Sequence, residues 1–430
     1  MKQPPVDRQM FKSRGDKTKE NQPGKLVFLC QVFEPDTSAT SQLFSPLIRS
    51  YARARDVDVL CGYPSLGCAN LKEIPRKETQ EGLKIRRLGL RVSYKKNRLH
   101  HFLGHLSFQL HAFLVCLTLP KNTLVTATTN PPFNLHILWL TSLIRKVHYQ
   151  VVFLDLYPEG LIQINRLKSS SLIAKLWFLF NKKAIHRASG LMTIGRDMMK
   201  LLEENYAIEK GQIHYLPHWS AIEPKEPLPT EHHPLLEKWN LSDKFVFQYS
   251  GNMGIWHDVE ALVTAAIELK DTRGHFLFIG NGKGRAAAEK LAEGYDHIAF
   301  MDYLPRELLS HSLTACHVSL ISMKPKLKGI AVPCKLYGIM AAKRPILAYV
   351  PEGTEVALTV QEHQCGYVVN PNEPDELVKA MKRLMENPEE AKTMGLRAFQ
   401  AYHDTYSRQT ASQKLEPFFC ANSIPNRRKQ

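Results

Sequence analysis

Between positions 82 and 154 the sequence contains no aspartate and no glutamate, and through Arg196 only two occur, Asp155 and Glu159. Other absences narrow the field further. Eight cysteines (Cys30, Cys61, Cys68, Cys116, Cys316, Cys334, Cys365, Cys420) form no CxxC pair and no zinc spacing. They read as reduced, buried thiols of a cytosolic protein. No GxGxxG is followed by an acid about twenty residues on, and there is no Walker lysine, so the usual dinucleotide and P-loop fingerprints are missing. Residues 1–24 lack an apolar run, which excludes a signal peptide and leaves a flexible basic leader. The most apolar helix candidate, 99–119, carries His100, His101, His105, Gln109 and His111, too polar for a membrane span. Asp56-Val-Asp58 matches DxD only in form. It lies at the entrance of a strand, the wrong end for a site, so no metal and no cofactor is expected.

What is present suits a large enzyme. The chain has 430 residues, 44% of them hydrophobic, and a net charge of +16. Length alone suggests two or three domains. Short apolar runs at 26–33, 57–61, 85–90, 124–128, 149–156 and 190–194 alternate with helical patterns such as 41–53 and 171–187. Residues 216–243 are rich in proline, histidine and charge and read as a linker. The alternation then restarts with strands at 245–249, 275–279, 318–321 and 346–350 and helices from Asp258 and Pro374. That pattern predicts two parallel α/β domains, 25–215 and 244–400. A last helix and tail, 401–430, is placed to cross back to the first half.

Ligands of open α/β sheets sit at the carboxyl ends of strands. Five loops fall there: 34–41, 155–160, 250–257, 280–284 and 328–335. In the last, Gly329 permits a tight turn, Pro333 suits the first turn of a helix, and Lys335 stands beside the free N–H groups of that turn. With Gly251-Asn-Met-Gly254 and Gly280-Asn-Gly282, this favours a nucleotide diphosphate over an ordinary βα connection. Asp155 and Glu159 follow one buried strand. They either contact a sugar or orient an acceptor, or they solvate and cap a loop. The acid-free stretch carries Lys84, Arg86, Arg87, Arg91, Lys95, Lys96 and Arg98 ahead of an apolar helix. This suits an anionic membrane surface. Nucleic acid competes as a partner, but no nucleic-acid module is present, and a solvated basic face is the plain alternative.

From Leu26 to about Phe419 the chain resembles family 4 glycosyltransferases of the GT-B fold, in the subgroup that makes bacterial surface polysaccharides such as O-antigen, capsule and exopolysaccharide. The resemblance is carried by Pro35-Asp-Thr-Ser-Ala-Thr-Ser-Gln42, Thr129-Asn-Pro-Pro132, Asp155-Leu-Tyr-Pro-Glu159, Tyr249-Ser-Gly-Asn-Met-Gly254, Phe278-Ile-Gly-Asn-Gly282 and Pro333-Cys-Lys-Leu-Tyr-Gly-Ile-Met-Ala-Ala342, in that order. The family's two glutamates, eight residues apart, fall here at Ile330 and Gly338. The subgroup's Pro-Ser-Lys is Pro333-Cys334-Lys335. The diphosphate-binding arginine and lysine are Asn252 and His257.

The resemblance implies two Rossmann-like domains facing a cleft, with acceptor on the N-terminal side and a UDP- or GDP-sugar on the C-terminal side. It implies retaining transfer to a saccharide or lipid-linked acceptor. Asp155, Glu159 and Lys335 are then catalytic. Thr40, Asn252, Gly254, His257, Gly280, Gly282, Tyr303, Gly329, Ile330, Ala331 and Pro333 bind donor. The protein would sit in the cytoplasm, peripherally attached to the inner face of the cell membrane, with no nucleic acid bound. The missing glutamates keep a catalytically silent GT-B protein open, and a nucleotide-sugar epimerase shares the fold.

Overall fold

A computed structural model describes residues 26–53, 55–65, 70–92, 98–221 and 226–419. The leader, the tail from 420, and Lys95 and Lys96 of the basic cluster lie outside them. The N-terminal half runs β1 (Leu26–Leu29), α1 (Ala39–Ala52), β2 (Val57–Cys61), β3 (Lys77–Gln80), β4 (Leu83–Arg87) and α2 (Arg98–Leu117). It continues with β5 (Leu124–Thr128), α3 (Asn134–Ile144), β6 (His148–Phe153), α4 (Glu159–Gln163), α5 (Leu172–Arg187), β7 (Gly190–Thr193), α6 (Arg196–Tyr206) and β8 (Ile213–Tyr215). Its eight strands are ordered β3-β4-β2-β1-β5-β6-β7-β8, all parallel except β3. Leu26 lies opposite both Val57 and Leu124, so β1 sits at the centre with every side chain buried. Strands covered on both faces need apolar residues throughout, which is why they read as runs rather than alternations.

The second half opens with α7 (Pro234–Lys238), β9 (Phe245–Ser250), α8 (Val259–Ile267), β10 (Gly274–Ile279), α9 (Arg285–Leu291), β11 (Ile298–Met301), α10 (Leu309–Thr314) and β12 (Val318–Ser322). It then adds α11 (Lys335–Ala341), β13 (Ile346–Tyr349), α12 (Glu355–Glu362), β14 (Gly366–Val369), α13 (Pro374–Glu386), α14 (Pro388–Ala401) and α15 (Arg408–Phe419). The six strands are parallel in the order β11-β10-β9-β12-β13-β14.

The two halves share one apolar core. It runs from β1 and β6 into Ile330, Val332 and Leu336. α15 leaves the C-terminal half and lies on the first sheet, where Gln150 Nε2 donates to the Phe418 carbonyl at 2.6 Å and the Tyr51 ring packs at a tilt against Phe419, centroids 4.9 Å apart.

Several elements differ from expectation. β3 escapes a pattern search because it is an edge strand whose side chains, Lys-Glu-Thr-Gln, are mostly exposed. The hairpin is marked only by Glu81 and Gly82, both at positive φ. β4 therefore begins earlier than 85 and ends at Arg87. The linker holds a short helix, α7, capped by His233. Pro333 does not open a helix. It precedes the Cys334 cap of α11, because residue 331 is held extended by a bridge to Asp155. Of the cysteines, the six described are free, and all but Cys334 are buried.

Candidate active site

Lys335 is the first residue of α11, and its Nζ is buried with no hydrogen-bond partner. The Nζ stands 3.6 Å from the centroid of the Tyr249 ring. Gly251 lies over its end: a Cβ there would be 3.5 Å from Lys335 Cε and 3.6 Å from Nζ. Burial lowers the amine's pKa to about 7. An ammonium with only a ring face beside it is poorly solvated, and an anion at that point removes the deficit.

The two glycine loops above it brace each other. Met253 N–H donates to the Asn281 carbonyl and Gly284 N–H to the Met253 carbonyl, each at 2.9 Å. Gly280 and Gly282 sit at φ +135° and +152°, and a Cβ on them would be 2.1 Å from the Gly251 carbonyl and 2.4 Å from the Met253 carbonyl. Loop-on-loop packing thus requires both glycines before any ligand is considered. Asn252 and Tyr303 are exposed on the same rim, and the Tyr303 hydroxyl donates to the Asn281 carbonyl at 3.4 Å. Gly254 carries no Cβ where the Asn252 amide passes.

His257 does not supply a second cation. Its Nδ1 lies 2.9 Å from the Ser322 carbonyl, and burial together with the Lys335 charge lowers its pKa to about 3. A neutral ring with its Nδ1–H given to a carbonyl leaves Nε2 as an acceptor.

Across the cleft, Asp155 lies near the start of the loop between β6 and α4. It forms an antiparallel bridge with Ala331, and Leu156 N–H donates to the Ile330 carbonyl at 3.0 Å. Burial raises the Asp155 pKa to about 6. One side chain feels both charges: burial raises the Cys334 thiol pKa, Lys335 opposes that rise and Asp155 adds to it. The backbone bridge thus sets the loop of the expected acid against the segment 330–335, which holds Ile330, Ala331 and Pro333 and ends at the expected cation. Close packing seals its floor, since a Cβ on Gly160 would be 2.9 Å from Ile330 and 3.0 Å from Trp256.

Glu159 lines a small cavity of the N-terminal domain together with Asp155. Its Oε1 accepts from the Tyr206 hydroxyl at 2.8 Å and from Asn205 at 3.3 Å, inside the N-terminal domain. Thr40 also belongs to that domain, in the first turn of α1, where its hydroxyl accepts from Asn130 at 3.3 Å. Gly329 has its amide occupied, donating at 2.8 Å to Asp197 at the start of α6. Its φ of +75° brings the turn against α6, where a Cβ would be 3.0 Å from the Asp197 carbonyl.

Sequence reading missed the seam to which that contact belongs. Buried Glu355 accepts from Arg196 N–H at 2.7 Å, from the Arg196 side chain at 3.1 Å and from the Tyr215 hydroxyl at 2.6 Å. The partners lie 140 and 159 residues apart, so no local pattern announces them.

Residues 235–401 match the family model for glycosyl transferases group 1. The chain carries a group 1 glycosyltransferase domain. Over 283 residues it is 28% identical to the probable glycosyltransferase WbjE of Pseudomonas aeruginosa, covering 65% of this chain and 70% of that one. A second relative, the putative colanic acid biosynthesis glycosyl transferase WcaI of Escherichia coli K12, is 25% identical over 57% of this chain, and the match spans 58% of WcaI. Among solved structures, sucrose-phosphate synthase of Thermosynechococcus elongatus superposes with TM-score 0.70 at 15% identity, covering 92% of this chain and 98% of that one. Anabaena HepE in complex with UDP and glucose gives 0.66 at 14%, covering 92% and 99%. The glycosyltransferase therefore has the two-domain GT-B fold, and its matched domain contains Lys335 and both glycine loops.

Proposed function

We propose that this glycosyltransferase moves a sugar from a UDP- or GDP-sugar to a lipid-linked saccharide acceptor during surface polysaccharide assembly at the inner face of the cell membrane, with retention at the anomeric carbon. The observation that carries the reading is the buried Lys335 Nζ, which has no hydrogen-bond partner and lies against the Tyr249 ring beside Gly251. A diphosphate is the anion that loop geometry and Lys335 suit. In the transfer the bond from anomeric carbon to phosphate oxygen breaks and a bond to the acceptor oxygen forms. The acceptor proton passes to the departing phosphate, so no covalent nucleophile is needed. Lys335 stabilises the leaving charge, and ionised Asp155 accepts from a sugar or acceptor hydroxyl. Glu159 positions the loop that carries Asp155. On this reading Tyr303, exposed beside the Gly280 loop, stacks on the nucleotide base.

Support for a nucleotide-sugar comes also from HepE, whose structure holds UDP and glucose. Among the described residues no three His, Cys, Asp or Glu side chains are grouped to hold a metal ion. A panel of UDP-, GDP- and ADP-sugars screened by thermal shift tests the donor side, because a ligand bound only to the native state raises the melting temperature. A shift with one UDP- or GDP-sugar is expected. Product analysis then separates transfer from epimerisation or silent binding. No shift with any nucleotide-sugar removes the proposal.

A further inference from the structure

α2, α3 and α5 each fill a rightward crossover, from β4 to β5, β5 to β6 and β6 to β7. Right-handed crossovers in one direction place all three on the same face of the sheet. They pack side by side there. On the inner side of α2, Phe108, Ala112 and Cys116 are buried against the core. Its outer side carries a second apolar ridge at the same spacing of four: Phe102, Leu106, Leu110 and Leu114, 52–60% exposed. α5 repeats the pattern with Leu172, Leu176 and Phe180, and α3 with Leu140 and Ile144. Fourteen of the eighteen large apolar side chains exposed among the described residues lie on these three helices or on the Phe133 cap of α3. Scattered exposure is normal in soluble proteins; a continuous face of this kind marks an interaction surface.

Its charges indicate what covers it. From position 98 to 196 the only carboxylates are Asp155 and Glu159, and Glu159 is buried inside the N-terminal domain. The exposed charges around the apolar ridges are Arg145, Lys146, Lys168, Lys175, Lys182 and Lys183. A second copy of the chain would bring basic residues against basic residues. A bilayer containing anionic lipid receives the leucines and attracts the lysines together. No helix among the described residues is long and apolar enough to span, so the face lies on the surface of the bilayer.

We infer that the α2–α3–α5 face docks onto an anionic membrane, deepening the membrane assignment above and resting on it for the acceptor. Right-handed βαβ units start their helices at the carboxyl end of the sheet, so Phe102, Phe133 and Leu172 lie at the same end as Asp155. Phe133 stacks on Trp177 at 5.1 Å, and Trp177 on Tyr157 at 6.4 Å, two residues from Asp155. Docking by this face therefore opens the acceptor side of the cleft at the bilayer, where a lipid-linked saccharide emerges. The expected role of the basic residues preceding α2 becomes secondary to apolar insertion by three helices.

The test is co-sedimentation of the full chain with vesicles of phosphatidylcholine alone or mixed with phosphatidylglycerol, at low and high salt. Wild type is expected to bind the mixed vesicles, partly released by salt. L110E with L176E should weaken that binding by about tenfold or more, since two inserting leucines are replaced by charges. K175E with K182E and K183E should weaken it and flatten its salt dependence. All five side chains are exposed, and a melting temperature and far-ultraviolet circular dichroism spectrum like those of wild type show that each variant is folded. Wild type binding neither vesicle, or both equally, overturns the inference, as does L110E with L176E binding like wild type. So does a lipid-free dimer that the leucine variants dissociate, for it assigns the face to a second copy. Vesicle binding that stands while no nucleotide-sugar shifts the melting temperature overturns the donor reading alone.

Discussion

Lys335 and Glu355 are both buried charges of the C-terminal domain, twenty residues apart in sequence, and they have opposite surroundings. Glu355 accepts from Arg196 backbone and side chain, from Tyr215 and from Thr359 at 3.2 Å. Lys335 has a tyrosine ring and no hydrogen bond. A buried charge without partners is costly, and one with several is structural. The saturated carboxylate holds the two halves in register. The unsaturated amine keeps a cost that a ligand relieves. Burial alone does not distinguish a site from a seam; the count of partners does.

The contrast is broken most severely at Glu355. E355A leaves Arg196 without its buried partner and should cost about 3–5 kcal/mol of stability, read from urea unfolding. A loss under about 1 kcal/mol means that the seam is not what holds the halves together.

K335A should do the reverse, leaving stability unchanged or higher while weakening nucleotide-sugar binding. One charge-assisted contact is worth about 1.5–3 kcal/mol, roughly ten- to a hundredfold in affinity. Calorimetric titration that finds wild-type affinity takes Lys335 out of the site.

The same amine gives a pH dependence. Its pKa is about 7 in the folded protein against an ordinary 10.5. Above pH 7 the free site must take up a proton before it binds a diphosphate, so affinity should fall by up to about tenfold per pH unit. Below pH 7 it should be flat, and in K335A the slope should vanish. For folding the sign is opposite to that of a gained partner. The unfolded chain binds the extra proton between pH 7 and 10.5, so this residue adds stability as pH rises through that range.

D155N should lower turnover by about tenfold with little change in donor affinity, because one charged acceptor is lost on the acceptor side. Wild-type kcat/KM should fall below about pH 6 as Asp155 is protonated. An acid limb that survives in D155N assigns it to another group.

The smallest effect is expected at Glu159. E159Q keeps an acceptor for the Tyr206 hydroxyl, so it should cost on the order of 1 kcal/mol of stability and leave turnover near wild type. A collapse of turnover without loss of stability restores Glu159 to a catalytic role.

Much of the fold was legible because buried parallel strands need unbroken apolar runs. β2 and β5 have the expected bounds, and Ser171 caps α5 where its sequence placed it. The edge strand β3 was not legible, since solvent on it removes the apolar signal. At the site, Lys335 and Asp155 were legible because both follow strands at the ligand end of a sheet. The charge of His257 was not, since it depends on burial and on Lys335 nearby. Gly329 was legible as a turn but not by its partner, because Asp197 is 132 residues away.

By itself the sequence determined two parallel α/β domains, the loops that face the cleft, and the acid-free basic stretch. Those properties depend on local periodicity and composition. Tertiary structure alone decided that Asp155 meets Ala331, that Glu355 closes the seam, and that three separate apolar ridges form one face. Each depends on residues far apart in the chain arriving at one place, and hydrogen bonds and packing register only after the sheets have assembled.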